Sequence, residues 1–252
     1  MRAAWPRAGA ALWPAGASLR RVGVALLLGW LGGFAAAAPT AAPLQVPDTW
    51  AQRAQACTGC HGEQGRASPE GYIPRIAGKP EAYLWQQLQA FRDGRRPHEG
   101  MSRLLAPLSD EHLRSLARHF ASLHIPYQAV VQRAATPQAL ALGQRLARQG
   151  DPARQLPACM DCHGTALMGM LPAAPGLLAL PQDYLVAQLG AWRTGMRQAR
   201  APDCMAQIAR QLSTEEVAAV AAWLATQTPP SLASPAPAST QALPLPCGSL
   251  QP

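Results

Sequence analysis

The chain has 252 residues, of which 48% are hydrophobic and 14% are charged, and its formal net charge at pH 7 is +8. This is the composition of a globular protein rather than a disordered one, and the length allows one large domain or two small ones. Four arginines and no acids lie in the first 37 residues, so the remainder carries +4 and, with one lysine in all, lacks the basic run of a nucleic-acid-binding protein.

The first 37 residues are predicted to be a signal peptide that exports the protein to the periplasm. Four arginines precede the apolar core VGVALLLGWLGGF, and the small residues of AAAAP offer a cleavage site after Ala37. The paired Arg20 and Arg21 also allow a twin-arginine signal. An uncleaved membrane anchor is the other alternative, because the apolar stretch from Val22 to Ala38 is at the lower limit for crossing a bilayer.

The first half, residues 48 to 132, is predicted to be one helical domain. A helix in DTWAQRAQAC leads into ACTGCHG, where Cys57, Cys60 and His61 form a C-x-x-C-H motif. Zinc sites of the Cys₂His₂ type place their histidines much farther from the cysteine pair, and a thioredoxin-like dithiol needs a βαβ setting. C-x-x-C-H is the attachment motif of haem c: both thiols bond the porphyrin and the adjacent histidine binds iron.

The segment after the first motif is expected to supply the second axial ligand of the iron. Apolar residues at three- and four-residue spacing predict a helix from Glu81 to Arg92, followed by a loop that carries Met101. Ser109 then begins a closing helix with acids in its first turn. Met101 is therefore the predicted ligand on the haem face opposite His61.

The second half, residues 133 to 228, repeats these features in the same order. They are a helix with Pro137 in its first turn, the motif residues Cys159, Cys162 and His163, a helix from Gln182 to Arg193, Met205, and the capping box from Ser213 to Glu216. Met205 precedes Ser213 by eight residues, as Met101 precedes Ser109. Two copies of the motif in an exported chain favour two haems over the paired disulfides that six cysteines would otherwise suggest. No alternating strand pattern of useful length occurs, so the fold is predicted to be all-α.

Other methionines and histidines fit the second axial position less well. Three methionines are too close to the haem-attaching cysteines: Met160, Met168 and Met170. Two residues lack a counterpart in the other half: Met196 and His98. Three histidines lie in or just after a helix: His112, His119 and His124.

The last segment, residues 229 to 252, is rich in Pro, Ala and Ser and is predicted to be extended or disordered. It contains Cys247, and Cys204 directly precedes Met205. These two cysteines remain after haem attachment. They form either a disulfide that fixes the tail beside the second haem or free thiols.

These motifs make residues 48 to 228 similar to the two-haem class I cytochromes c of the cytochrome c4 type. The similarity rests on both CxxCH motifs, on the run YLxxQLxxFxxGxR, and on a methionine eight residues before a helix-starting serine. It implies two tandem class I cytochrome c domains, each wrapped around one covalently attached haem c. The axial pairs implied are His61 with Met101 and His163 with Met205.

The same resemblance implies how each proximal histidine is oriented. In this family a proline carbonyl accepts a hydrogen bond from that imidazole, which indicates Pro74 in the first half and Pro175 in the second. Pro172 is an alternative to Pro175.

An iron bound by histidine and methionine has no free position for substrate, so the expected function is single-electron transfer rather than catalysis. The expected partners are a terminal oxidase, a quinol-oxidising complex or a dehydrogenase, with peripheral membrane association left open. Arg95, Arg96 and Arg197 either pair with haem propionates or are solvated. Two alternatives remain: a dihaem electron-accepting subunit of an oxidoreductase complex, and a haem enzyme such as a peroxidase or a thiosulfate-oxidising protein.

Overall fold

A computed structural model of the chain describes residues 48–67, 72–128, 130, 133–230 and 232–250. The predicted signal peptide, with its alternative as a membrane anchor, lies outside the described residues. Residues 131 and 132 also lie outside them. The predicted domain boundary between residues 132 and 133 therefore stays a prediction.

Helices are the main regular elements of the described part of the chain, and loops connect them. The helices are α1 Trp50–Arg53, α2 Gln55–His61, α3 Glu81–Arg92, α4 Glu99–Leu105, α5 Asp110–Ala121, α6 Pro137–Gln149, α7 Cys159–His163, α8 Gln182–Arg193, α9 Cys204–Gln211 and α10 Thr214–Thr226. Two short strands, β1 Gly169–Met170 and β2 Ala174–Pro175, pair antiparallel. None of the helices described is both long and apolar enough to cross a bilayer.

In the first half the core forms where α3 packs against α5. Its buried members are Ala54, Leu84, Leu116, Ala117 and Phe120. The spacing of the last three on α5 follows the helical period, so one face of that helix is buried. The hydroxyl of Ser109 accepts a hydrogen bond from the backbone N–H of His112 at 3.2 Å and caps α5, as the sequence predicts.

In the second half the core forms around α10, which packs against both α6 and α8. Val217, Val220, Trp223 and Leu224 on α10 are among its buried members. Ser213 and Glu216 form the predicted capping box at the start of this helix, with bonds of 3.1 and 2.9 Å between side chains and backbone.

The tail is predicted to be extended or disordered, and its described residues, 232–250, contain no helix. Ala236 is bound next to strand β1: its N–H donates to the carbonyl of Gly169 at 2.9 Å, and its carbonyl accepts from the N–H of Leu171 at 2.8 Å. A segment that is too rich in Pro and Ala to form its own core is thus held by the body of the protein.

Two helical predictions need correction. The helix expected from DTWAQRAQAC divides at Ala54 into α1 and α2. Met101 and Met205 were expected in loops, but they lie in the first turns of α4 and α9. The imidazole of His98 caps α4 and the carboxylate of Asp203 caps α9, and both caps favour helical structure in these segments.

The contact between α6 and α10 leads to a test of packing. Gly143 lies where the two helices cross, and a Cβ atom there would be 2.1 Å from the carbonyl oxygen of Ala219 and 2.8 Å from the Cβ of Trp223. Since neither atom belongs to a flexible side-chain end, G143A is expected to lower the free energy of unfolding by about 1–3 kcal/mol.

Urea unfolding followed by circular dichroism would measure this effect. The matched control is G190A on α8, where a Cβ would meet no atom within 4 Å. That variant is expected to be neutral or to stabilise by about 0.5–1 kcal/mol, because alanine favours a helix over glycine. Equal effects of the two substitutions would contradict this account of the crossing.

Candidate functional site

The first CxxCH motif lies within α2, which ends at its histidine. The Nδ1 atom of His61 is 2.8 Å from the carbonyl oxygen of Pro74. A carbonyl only accepts hydrogen bonds, so Nδ1 carries the proton and Nε2 keeps a free lone pair. Burial lowers the pKa of His61, so the ring is neutral and Nε2 can bind a metal at neutral pH.

The second motif forms α7 and repeats this geometry. The Nδ1 atom of His163 is 2.7 Å from the carbonyl oxygen of Pro175 on β2. The acceptor is Pro175 and not Pro172, which settles the alternative that the sequence left open. Burial again lowers the pKa of the imidazole.

A glycine follows each histidine because the chain must turn sharply there. Gly62 and Gly164 have positive φ angles of 75° and 83°. A Cβ on Gly62 would be 2.0 Å from the carbonyl oxygen of Ala67, and one on Gly164 would be 2.8 Å from that of Gly169. These turns start the loops that return the proline carbonyls to the imidazoles.

The four motif cysteines are unpaired in the structure. Burial raises the pKa of Cys159 to about 12, and the pKa of Cys57 is raised by burial and by the neighbouring Cys60. These two thiols are therefore protonated at neutral pH as long as they are not bonded to a cofactor. Cysteine thiols can add to the vinyl groups of a porphyrin to form thioether bonds, and the C-x-x-C-H spacing is that of haem c attachment.

The predicted methionine ligands occupy equivalent places in the two halves. Met101 and Met205 are half-buried in α4 and α9. The backbone N–H of Met101 donates to Nδ1 of His98 at 3.2 Å, so that imidazole caps the helix that carries Met101. The assignment of these two methionines to the irons stays a prediction.

The rival side chains have other surroundings. Met168 and Met170 are buried, and Met168 belongs to the core of the second half. Met196 is 63% exposed. The rings of His112 and His119 contact Trp50 and Phe120 edge to face.

Two buried arginines join the halves in an arrangement that the sequence did not predict. Arg96 donates to Gln87 at 3.0 Å, to Gln188 at 2.8 Å and to the hydroxyl of Tyr184 at 2.8 Å. Arg197 donates to Gln188 at 2.6 Å and to Gln87 at 2.7 Å. Arg96 and Arg197 are equivalent in the repeat, as are Gln87 and Gln188, so the network is nearly symmetric. Because these hydrogen bonds join the two halves of the chain, the network can be recognised only in the folded structure.

This network carries positive charge that the described residues do not neutralise. Arg96 and Arg197 are 7% and 4% exposed, and neither forms an ion pair with an acid in the described part of the chain. Burial and the charge of Arg96 lower the pKa of Arg197 to about 10. Although burial works to raise the pKa of Tyr184, the two arginines lower it overall. A buried cation pair of this kind fits the carboxylates of a haem, whereas Arg95 is paired with Asp93 near the surface.

The two cysteines outside the motifs are joined to each other beside the second site. Cys204 and Cys247 form a disulfide with a Cα–Cα distance of 5.0 Å. The N–H of Gly248 donates to the carbonyl of Pro202 at 2.9 Å, and Gln86 of the first half donates to the carbonyl of Ser249 at 3.1 Å. The disulfide alternative is therefore confirmed, and it fixes the tail next to Met205.

Comparison with known proteins gives a consistent result. The family model described as cytochrome c matches residues 51–117. The chain is 36% identical over 184 residues to a thiosulfate dehydrogenase electron acceptor of Thiomonas intermedia strain K12, covering 72% of this chain and 84% of that protein. It is 35% identical over 205 residues to cytochrome c4 of Pseudomonas aeruginosa, covering 81% of this chain and 96% of that protein.

Solved structures agree. Reduced recombinant cytochrome c4 from Pseudomonas stutzeri matches with a TM-score of 0.60 and 29% identity, covering 70% of this chain and 95% of that chain. The as-isolated thiosulfate dehydrogenase TsdBA from Marichromatium purpuratum matches with a TM-score of 0.60 and 36% identity, covering 68% of this chain. The match spans 36% of that longer chain, so little more than a third of it is shared.

The predicted axial methionines can be tested by absorption spectroscopy of the oxidised, haem-loaded protein. M101L and M205L are each expected to remove about half of the sulfur-to-iron charge-transfer absorption, because each removes one thioether ligand. M196L is the matched control, since Met196 is mostly exposed and its loss is expected to leave the spectrum unchanged. Full absorption in M101L or M205L would show that another group binds that iron.

The disulfide gives a second test. It closes a span of 43 residues, so C204S/C247S is expected to lower the free energy of unfolding by about 4 kcal/mol by the loop-closure relation. The tail of this variant is expected to be cleaved faster in limited proteolysis. With both irons kept ferrous in every sample, a disulfide reductant should reproduce both effects in the haem-loaded wild type, whose other cysteines are in thioethers, and should not affect the double variant. Unchanged stability and cleavage on loss of the disulfide would contradict its role in holding the tail.

Proposed function

The chain belongs to the cytochrome c family, as a dihaem electron-transfer cytochrome of the cytochrome c4 type with haem c covalently bound at both CxxCH motifs, and from this premise we propose that it is the electron acceptor of a thiosulfate dehydrogenase. The observation that best supports this proposal is the 36% sequence identity to a relative named as such an acceptor, in an alignment that covers 84% of that relative. A second protein of that name, from Stutzerimonas stutzeri strain A1501, is 38% identical over 172 residues.

The residues of the site suit a carrier better than a catalyst. Each bound haem supplies an iron that changes charge by one electron. Pro74 and Pro175 hold the imidazoles of His61 and His163 in the tautomer that binds iron. Met101 and Met205 are proposed to occupy the opposite faces, which leaves no iron position for substrate, and a thioether ligand favours the ferrous state. We therefore propose that the protein has no turnover of its own.

The buried network suits rapid exchange between two haems. Arg96 and Arg197 place their guanidinium groups between the halves, where they are hydrogen-bonded to the same two glutamines. Carboxylates bound there would be fixed by charged hydrogen bonds and shielded from water. Rigid surroundings lower the reorganisation that accompanies each change of iron charge.

The proposed location is the periplasm. It is supported by the apolar segment that follows four arginines and by the small residues near Ala37. An uncleaved segment would instead hold the same domains at the outer face of the membrane.

A second role is electron delivery to a terminal oxidase or from a quinol-oxidising complex. It is supported by the alignment to cytochrome c4 of Pseudomonas aeruginosa, which covers 96% of that protein. The partner distinguishes this role from the first, because the haem chemistry is the same.

The proposed function predicts three-component reduction. Thiosulfate and a thiosulfate dehydrogenase together are expected to reduce both haems of the loaded, full-length protein, as measured by stopped-flow absorption. Neither component alone should do so. A monohaem cytochrome c of similar potential serves as the control for unspecific electron transfer and is expected to be reduced more slowly.

Two results would contradict the proposal. Thiosulfate oxidation by the chain alone would identify it as an enzyme. Reduction no faster than that of the control cytochrome would remove the dehydrogenase as a specific partner and favour the second role.

A further inference from the structure

Lys79 is the only lysine of the chain, and it is buried in the first half. Its Nζ atom donates a hydrogen bond of 2.7 Å to the carbonyl oxygen of Gly176 in the second half. Gly176 directly follows Pro175, whose carbonyl holds the imidazole of His163. One charged side chain of the first half thus reaches the loop that orients the histidine of the second haem.

The charge of Lys79 is not neutralised locally. Lys79 is 5% exposed and takes part in no ion pair among the described residues. Burial, and then the charge of Arg75, lower the pKa of Lys79 to about 7. The guanidinium of Arg75 is itself bound to the carbonyls of Ala77, Ile125 and Pro126. A neutral apolar side chain at this position would have a smaller desolvation cost than an ammonium group, so the presence of a lysine here indicates a function for its charge.

The ammonium is close enough to act on the second histidine. Its acceptor is the carbonyl of Gly176, the residue directly after Pro175, and the carbonyl oxygen of Pro175 is 2.7 Å from Nδ1 of His163. A buried positive charge at this place disfavours the extra positive charge that ferric iron bound to His163 would carry. The reduced state is favoured as a result.

The contact made by Lys79 has no counterpart in the other half of the repeat. The repeat that aligns Pro74 with Pro175 aligns Lys79 with Leu180, which is buried and uncharged. No lysine of the second half can act in the same way on His61, because the chain has no other lysine. Lys79 therefore makes the two haem environments different.

We propose that the buried ammonium group of Lys79, supplied by the first half, raises the reduction potential of the second haem relative to the first. The proposal rests on haem attachment at both motifs and not on the identity of the redox partner. Failure of the partner assignment would leave it intact, because the potentials are measured on the isolated protein.

Three variants separate charge from hydrogen bonding in the haem-loaded protein. K79Q removes the charge and keeps a donor for the Gly176 carbonyl, K79M removes both, and K79R keeps the charge. Redox titrations at pH 6, below the pKa of Lys79, give the potentials of both haems. A companion set in an M101H background shifts the first haem to lower potential and so assigns the two waves.

The potential of the second haem is expected to fall in K79Q and K79M, and that of the first haem to stay constant. The expected size is a three- to tenfold change in the equilibrium between ferric and ferrous iron, where tenfold corresponds to about 59 mV for one electron. K79R is expected to stay close to the wild type.

Haem content and circular dichroism verify folding of each variant, and K79Q against K79R decides the question even where K79M does not fold. Equal shifts at both haems, no shift in K79Q, or a shift in K79M that K79Q does not share would each overturn the proposal.

Discussion

The hydrogen bond from each CxxCH histidine to a proline carbonyl is the contact on which both sites depend. It fixes the tautomer of His61 and His163 and the direction of the nitrogen that binds iron. A single carbonyl can do this only if the chain turns back just after the motif, and Gly62 and Gly164 allow that turn at positive φ. The short helices that carry the cysteines, the glycine turns and the returning loops are therefore one unit, and the repeat preserves it as a unit.

The two buried arginines impose a second constraint, because their guanidinium groups are hydrogen-bonded but no acid among the described residues neutralises their positive charges. Amide oxygens of Gln87 and Gln188 bind the guanidinium groups of Arg96 and Arg197 without neutralising them. Two like charges in a buried site repel each other and cost free energy of solvation. Carboxylates of bound haems would offset this cost. The contact between the halves would then be coupled to cofactor binding, because the same two arginines also join the halves.

The parts of this structure that depend on local sequence could be predicted, and the parts that depend on contacts between distant residues could not. Helices α3 and α8 begin and end at the predicted residues, and the cap at Ser213 follows from its neighbours. The bond to Pro175 followed from resemblance to a family, while Pro172 could be set aside only with the fold in hand. The sequence does not predict the helices around Met101 and Met205, because a short helix shows little periodicity and because the cap of α4 is a histidine, which is an unusual cap residue. The Arg and Gln network joins residues that are far apart in sequence, so spacing alone does not reveal it. The disulfide also joins distant residues, and the sequence therefore offers it only as one of two alternatives.

An internal repeat would by itself give two equivalent haems, and the described residues show where this chain departs from equivalence. The ribbon of β1 and β2, the bound tail and the disulfide at Cys204 all lie on the second half. Lys79 comes from the first half and again acts on the second. These features leave the histidine geometry alike and change the charge and the rigidity around one site. Since an electron moves toward the site of higher potential, unequal surroundings give two carriers in one chain a direction that two identical sites would lack.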